Sequence, residues 1–189
     1  MIITGGLIVM NKNFDLVCYT DGASKMSKNL GSCSYAIFDR NNNHICELSE
    51  VHKNTTNNRM EMTAMINLFN YLIKERIENK TISICSDSSY LLSGLVGNFT
   101  PMNSKCNTYS KRWIDGWIEN DWISSNGKPV ENKDLWIELD CLFQDLRRCN
   151  DIKFFHTRGH NKGTTVVEGN NYVDKLCNIA LDEYLRKQV

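Results

Sequence analysis

FDLVCYTDGASKMSKNLGSCSYAIFDRNNNHICELSEVH, residues 14–52, carries three strand patterns separated by turn signals. Residues 14–20 are an apolar run that predicts a buried strand ending at Asp21-Gly22. Residues 32–38, SCSYAIF, predict a second strand. The cluster Asn41-Asn42-Asn43 is a turn signal, because Asn side chains hydrogen-bond their own backbone and tolerate left-handed geometry. Residues 44–52 then predict a third strand, and the three together an antiparallel meander.

Outward from this stretch the period changes. Met60, Ala64, Met65, Leu68, Phe69, Leu72 and Ile73 share one stripe of a 3.6-residue repeat, a helix that Thr56 or Asn57 can cap. TISICS (81–86) is a short buried strand running into Asp87, with a brief helix behind it that ends near Gly94–Gly97. Two further helices are expected over 109–120 and 133–148, then a strand over 152–156. The last helix carries Val173, Leu176, Cys177, Ala180, Leu181 and Tyr184 on one face. The order β-β-β-α-β-α-α-α-β-α predicts an α/β fold, a mixed sheet covered by helices.

The chain has 189 residues, enough for one domain with a real core. Lys+Arg number 22 and Asp+Glu 22, so the formal net charge is zero. That balance speaks against a protein held on a polyanion by a broad excess of base. The eight cysteines form no CxxC or CxxH pair, so no structural zinc site is expected from spacing. Several lie in apolar runs, as reduced thiols of a cytoplasmic protein would. The apolar start MIITGGLIVMNKN is too short for a membrane span and lacks a charged leader. Residues 1–13 are read as an N-terminal extension and 14–189 as one domain, with Met1 and Met10 both open as the start.

Four acids sit where strands end and helices begin. Asp21 and Asp87 follow apolar strands, Glu61 opens the first long helix, and Asp174 lies between Val173 and Leu176 in the first turns of the last. Each alone suits a turn or a helix dipole. Gathered at one rim of an α/β sheet, they would repel each other unless cations lay between them. Hard divalent ions with oxygen ligands meet that need, Mg²⁺ first and Mn²⁺ as the alternative.

At these residues the chain resembles ribonuclease H of type 1 from about Phe14 onward. The segments are YTDGAS (19–24), TTNNRMEM (55–62), ICSDSSYL (84–91), TRGHNKG (157–163) and GNNYVDKLCNIA (169–180). The resemblance implies a five-stranded mixed sheet flanked by helices, and a monomer without a membrane anchor. It implies endonucleolytic cleavage of the RNA strand of RNA/DNA hybrids with two metal ions, leaving 3′-hydroxyl and 5′-phosphate ends. Asp21, Glu61, Asp87 and Asp174 would be the metal ligands, Asp21 bridging, with the shares of the other three open. His160 would help deprotonate the water or speed product release. His44, His52 and His156 are read as surface residues.

For substrate contacts, Asn57, Asn58 and Asn170 are candidates for the RNA strand and Thr56 for a DNA-phosphate pocket. Arg59 is divided evenly between a phosphate contact and a salt bridge. Residues 111–136 resemble the family's substrate-binding handle, with Lys111, Arg112 and Trp113 as contacts, and Trp117 and Trp122 read as packing. The handle tip Trp117-Ile118-Glu119-Asn120-Asp121-Trp122 has two acids and no base, so weak binding there is expected. The loop 164–169 reads as longer than usual. Setting the four metal-site acids aside leaves 18 acids against 22 bases elsewhere.

Three rival readings differ in their residues. A non-catalytic relative should lack a carboxylate, and none is lost. A 3′–5′ exonuclease typically has an Asp and a Glu two apart on its first strand; here Gly22-Ala23 follow Asp21. A domain cut from a reverse transcriptase stays open.

Overall fold

The computed structural model describes residues 13–101, 110–157 and 165–188. Strands β1 (Leu16–Lys25), β2 (Leu30–Asp39) and β3 (His44–Lys53) form the antiparallel meander. Helix α1 (Asn57–Lys74), strand β4 (Thr81–Ser86), helix α2 (Ser89–Leu95) and the two-residue strand β5 (Thr100–Pro101) follow. Helices α3 (Trp113–Glu119) and α4 (Lys133–Cys149), strand β6 (Asp151–His156) and helix α5 (Thr165–Arg186) complete the order. The sheet runs β3-β2-β1-β4-β6-β5, with β4, β5 and β6 parallel to their neighbours. The five expected strands are present, and β5 adds a short sixth at one edge.

Both faces of the sheet are covered, which is why its central strands are apolar at successive positions rather than alternating. Cys18, Tyr35, Ile37, Ile82 and Ile84 point to a core built with Met62, Met65, Leu68, Phe69 and Leu72 of α1 and Trp136, Leu139 and Phe143 of α4. Val17, Tyr19, Ala36, Phe38 and Cys85 point the other way, to Val173 of α5.

Two element boundaries differ from expectation, and both matter for the site. β1 does not end at Asp21. Its antiparallel pairing with β2 continues to Lys25↔Leu30, whereas its parallel pairing with β4 stops at Tyr19↔Cys85. Asp21 is therefore inside a strand but past the end of the parallel part of the sheet. Likewise the last helix already includes residues 165–169 of the stretch read as a long loop, and Asp174 lies in its third turn. The expected extension (1–13), apart from Asn13, lies outside the described residues.

α5 reaches its position because Gly169 faces β1. A Cβ there would lie 2.2 Å from the ring of Tyr19, which is buried in the core. Gly169→Ala is expected to lower stability by roughly 1–2 kcal/mol, since overpacking outweighs the helix propensity gained. Urea unfolding at fixed pH measures it; a stabilised variant would show that the helix shifts freely.

Candidate active site

Asp21, Glu61 and Asp87 each offer a carboxylate oxygen, and these lie within 4.8 Å of one another. Asp174 joins them around a cleft of about 270 Å³, which Gly22, Ala23, Ser24, Asn57, Asn170 and Asn171 also line. The four acids come from four elements, and each is placed by a local cause.

Gly22 brings in Glu61. A Cβ on Gly22 would lie 2.2 Å from the backbone nitrogen of Glu61 and 2.4 Å from the carbonyl carbon of Met60. Only glycine lets α1 lie this close to β1, so that Glu61 sits beside Asp21 although the two arise on different elements. Thr56 caps α1, its hydroxyl accepting from the Arg59 amide at 3.3 Å. Asn57, one turn before Glu61, donates from Nδ2 to Glu61 Oε1 at 3.5 Å.

Asp174 is placed by β2. Ser34 Oγ donates to the Val173 carbonyl at 2.8 Å, and Ser32 Oγ to the Cys177 carbonyl at 2.9 Å. These two buried serines pin the third turn of α5 against the strand that pairs with Asp21. Asn178 Nδ2 donates to Asp174 Oδ1 at 3.1 Å.

Asp87 leaves the end of β4 and is held by His156 at the end of β6 and Asn170 of α5. The His156 ring nitrogen Nε2 lies 3.0 Å from the Asp87 carbonyl oxygen. Asn170, almost fully buried, donates to Asp87 Oδ2 at 3.4 Å and accepts from Thr157 Oγ1 at 2.8 Å. His156 is thus not the surface residue its sequence suggested: it is half-buried and fixes the main chain of an acid in the cleft. Thr157 and the two serines went unnoticed because a buried hydroxyl in a strand reads as neutral filler. His160 lies outside the described residues.

The electrostatics are those of charge crowded away from water. Burial first, then the charges of Asp87 and Asp174, push the Asp21 carboxyl up to about 8, against one hydrogen bond from the Gly22 amide at 2.8 Å. Burial and the charges of Asp21 and Asp87 push Glu61 well above the ordinary range, and burial raises Asp87 too. Glu61 Oε2 is buried with no hydrogen-bond partner. A buried carboxylate oxygen without a donor is costly. A hard cation bound by oxygens supplies the missing partner for it and offsets the crowding, so the donor set fits a divalent metal site.

A second cleft, lined by Thr56, Asn57, Asn58, Glu131 and Asn132, adjoins the first through Asn57. The handle residues lie apart from the acids. Lys111 is exposed, and Trp113 is 42% exposed with its edge to Tyr90 at 6.0 Å between centroids. Arg112 is different from expectation. Its side chain is only 14% exposed, and its guanidinium meets Asp115 at 2.9 Å and Asp140 of α4 at 2.8 Å. Two carboxylates already hold it, so it ties the handle to α4 rather than reaching out to a phosphate. Arg59 resolves the same way, as a two-pronged pair with Asp134 at 2.7 and 3.1 Å. Trp117 packs edge-on to Trp136 at 5.2 Å, and Lys133 lies over the Trp122 ring at 5.3 Å, as packing residues would.

The RNase H family model matches residues 13–181. Ribonuclease H of Clostridium botulinum is 31% identical over 172 residues, 89% of this chain and 97% of that one. Ribonuclease H of Acetivibrio thermocellus is 35% identical over 159 residues, covering 84% and 89%. Ribonuclease HI of Neisseria meningitidis is 38% identical over 130 residues, covering 69% and 75%. Among solved structures, the prototype foamy virus RNase H domain superposes with a TM-score of 0.66 at 18% identity, over 88% of this chain and 94% of that one. LC11-RNase H1, isolated from compost and solved with an RNA/DNA hybrid, gives 0.59 at 16% identity over 90% and 99%.

The crowding has a measurable sign. The folded metal-free chain binds the Asp21 proton more tightly than the unfolded chain does, so the stability this proton confers is complete below about pH 4 and is lost as pH rises towards about 8. With chelator present, the urea midpoint should fall between pH 6 and pH 8. Asp21→Asn should flatten that fall and exceed the parent at pH 8 by ~1–3 kcal/mol, and millimolar Mg²⁺ should restore the parent. Parent stability that rises across this interval would refute the account.

Proposed function

The chain belongs to the ribonuclease H family, and on that footing we propose that it cleaves the RNA strand of RNA/DNA hybrids internally, at the cleft of Asp21, Glu61, Asp87 and Asp174. The observation that carries this is the convergence of carboxylate oxygens of Asp21, Glu61 and Asp87 within 4.8 Å, the first two from buried residues. Such a site is unfavourable for the bare protein and favourable for one that binds cations and, through them, a phosphodiester. Two Mg²⁺ ions, or Mn²⁺, held there would neutralise the phosphate, lower the pKa of an attacking water and stabilise the leaving 3′-oxygen, giving 3′-hydroxyl and 5′-phosphate products.

The chain's own groups then have separate tasks. We assign Asp21 as the ligand that would be shared by both ions, because it interacts electrostatically with Glu61, Asp87 and Asp174 alike. Asn57 steadies Glu61, Asn170 and Thr157 orient Asp87, and Asn178 orients Asp174. Asn57, Asn58 and Asn170 are short polar side chains of the kind that hydrogen-bond 2′-hydroxyls in a minor groove. Asn57 borders both clefts, where it can relate the RNA strand to a DNA phosphate bound near Thr56. We assign His160 to proton transfer or product release, because imidazole titrates near neutrality. Lys111 and Trp113 are the handle's contacts to the hybrid. Residues 14–189 would be the catalytic domain of a cytoplasmic monomer, and 1–13 an extension. No helix among the described residues is long and apolar enough to cross a membrane.

Labelled RNA/DNA hybrid with Mg²⁺, beside double-stranded RNA, double-stranded DNA and single strands, tests the assignment. Asp21→Asn and Asp87→Asn should each lose activity by a factor on the order of 10²–10³ or more. Equal cleavage of every substrate, or an active Asp21→Asn, overturns it. The handle separates into two roles. Lys111→Ala should raise KM for hybrid, less so at higher salt because one phosphate contact fewer makes the salt dependence shallower, with unchanged melting. Arg112→Ala should lower the melting temperature, because it leaves Asp140 unpaired. A stable Arg112→Ala with raised KM would return Arg112 to the substrate.

A further inference from the structure

A second group of potential ligands lies away from the catalytic cleft. Cys33 Sγ, a Glu50 carboxylate oxygen and a His52 ring nitrogen lie within 4.8 Å of one another. β-sheet geometry explains the convergence. Glu50 and His52 are two apart on β3 and so face the same side, and Cys33 of β2 is the direct partner of Glu50. Cys33 is buried against Met60 and Ala64 of α1, and forms the floor. The Glu50 and His52 side chains, 45% and 39% exposed, form the solvent side.

The imidazole of His52 faces the same group. His52 Nε2 is buried yet makes no hydrogen bond, although it lies 3.4 Å from Glu50 Oε2. A ring nitrogen shielded from water and aimed at a thiol and a carboxylate is placed as a metal ligand would be. Asn67 of α1 supplies a supporting group. Its Nδ2 donates to Glu50 Oε2 at 3.0 Å and lies 3.7 Å from Cys33 Sγ. An amide in that place can orient both ligands from outside the coordination sphere.

We propose that Cys33, Glu50 and His52 bind a borderline divalent transition-metal ion, best matched by Zn²⁺, at a site separate from the carboxylate cleft. One sulfur, one nitrogen and one oxygen suit Zn²⁺, with water as the fourth ligand, and do not suit Mg²⁺, which takes oxygen. Zinc bonds of ~2.0–2.3 Å bring ligand atoms to about 3.3–3.8 Å apart, so Glu50 and His52 must close inwards slightly, which their exposure permits. Binding as thiolate would release the Cys33 thiol proton to solvent. The two metal sites differ in ligand hardness and so select different ions in the same solution.

The test uses the full chain, freed of metal, in excess Mg²⁺ so that the carboxylate cleft is occupied. Co²⁺ is titrated in as a spectroscopic stand-in and Zn²⁺ is followed by calorimetry. The expected result is one tight equivalent of Zn²⁺ and, with Co²⁺, a near-ultraviolet thiolate-to-metal charge-transfer band. Cys33→Ser should abolish the band, and His52→Ala should weaken binding about tenfold or more. Other thiols, such as the exposed Cys141 and Cys149, could also bind Co²⁺; a band that survives in Cys33→Ser comes from another thiol and overturns the proposal. If Cys33→Ser does not fold, His52→Ala and Glu50→Gln, both at half-exposed positions, decide: unchanged Zn²⁺ affinity in both refutes the site.

Discussion

At Gly22 the main chain of β1 meets the main chain of α1 with no side chain between them. The missing Cβ is the space that the Glu61 amide and the Met60 carbonyl carbon occupy. Because α1 can descend this far, its buried stripe reaches the sheet, and the same descent puts Glu61 next to Asp21. Folding and chemistry therefore rest on one contact. The stripe of α1 drives the packing through apolar burial, and that packing holds a carboxylate where the carboxylate itself would not choose to be. The second carboxylate-bearing helix repeats the device: Gly169 lets α5 settle on Tyr19, and Ser32 and Ser34 fasten it.

The opposition between packing and charge explains the character of the cleft. Apolar burial is distributed over the whole sheet, whereas the repulsion is confined to a few oxygens at its rim. The first can hold the second in place, at a local cost that a cation removes. The zero net charge of the sequence hides this arrangement, because the acids that matter are concentrated at one point. Elsewhere acids hold the two arginines near the handle: Arg112 by Asp115 and Asp140, Arg59 by Asp134. The handle is short of available positive charge for a structural reason as well as a compositional one.

The element order and the four acids were legible in the sequence because each depends on local pattern: apolar period, turn residues, and an acid following a strand. Family resemblance gave those acids their roles. What was not legible depends on partners distant in the chain. Asp21 looked like a strand end because the apolar run stops there, but β2 extends the pairing beyond it. Residues 165–169 looked like a loop because β-branched Thr165, Val166 and Val167 are weak helix formers and Gly169 is weaker still; packing on β1 overrides that. His156 looked superficial because nothing near it in sequence reveals the carbonyl of Asp87. The Cys33, Glu50 and His52 group escaped for the same reason. Spacing rules for metal sites detect ligands on one segment, whereas these meet across a strand pair.

The position of β3 has a consequence for the protein in a crowded solution. It is the outermost strand of the sheet, and among the described residues no strand pairs with its outer edge, whose amides and carbonyls can meet an extended chain that approaches. Most of its residues are at least partly exposed, and His44, Glu47, Glu50, His52 and Lys53 make it polar along its length. A strand of this composition is a poor template for cross-chain pairing, because an incoming partner must strip water from charges before it gains a single ladder bond. The same side chains that make β3 hydrophilic thereby guard the sheet against growing into an aggregate.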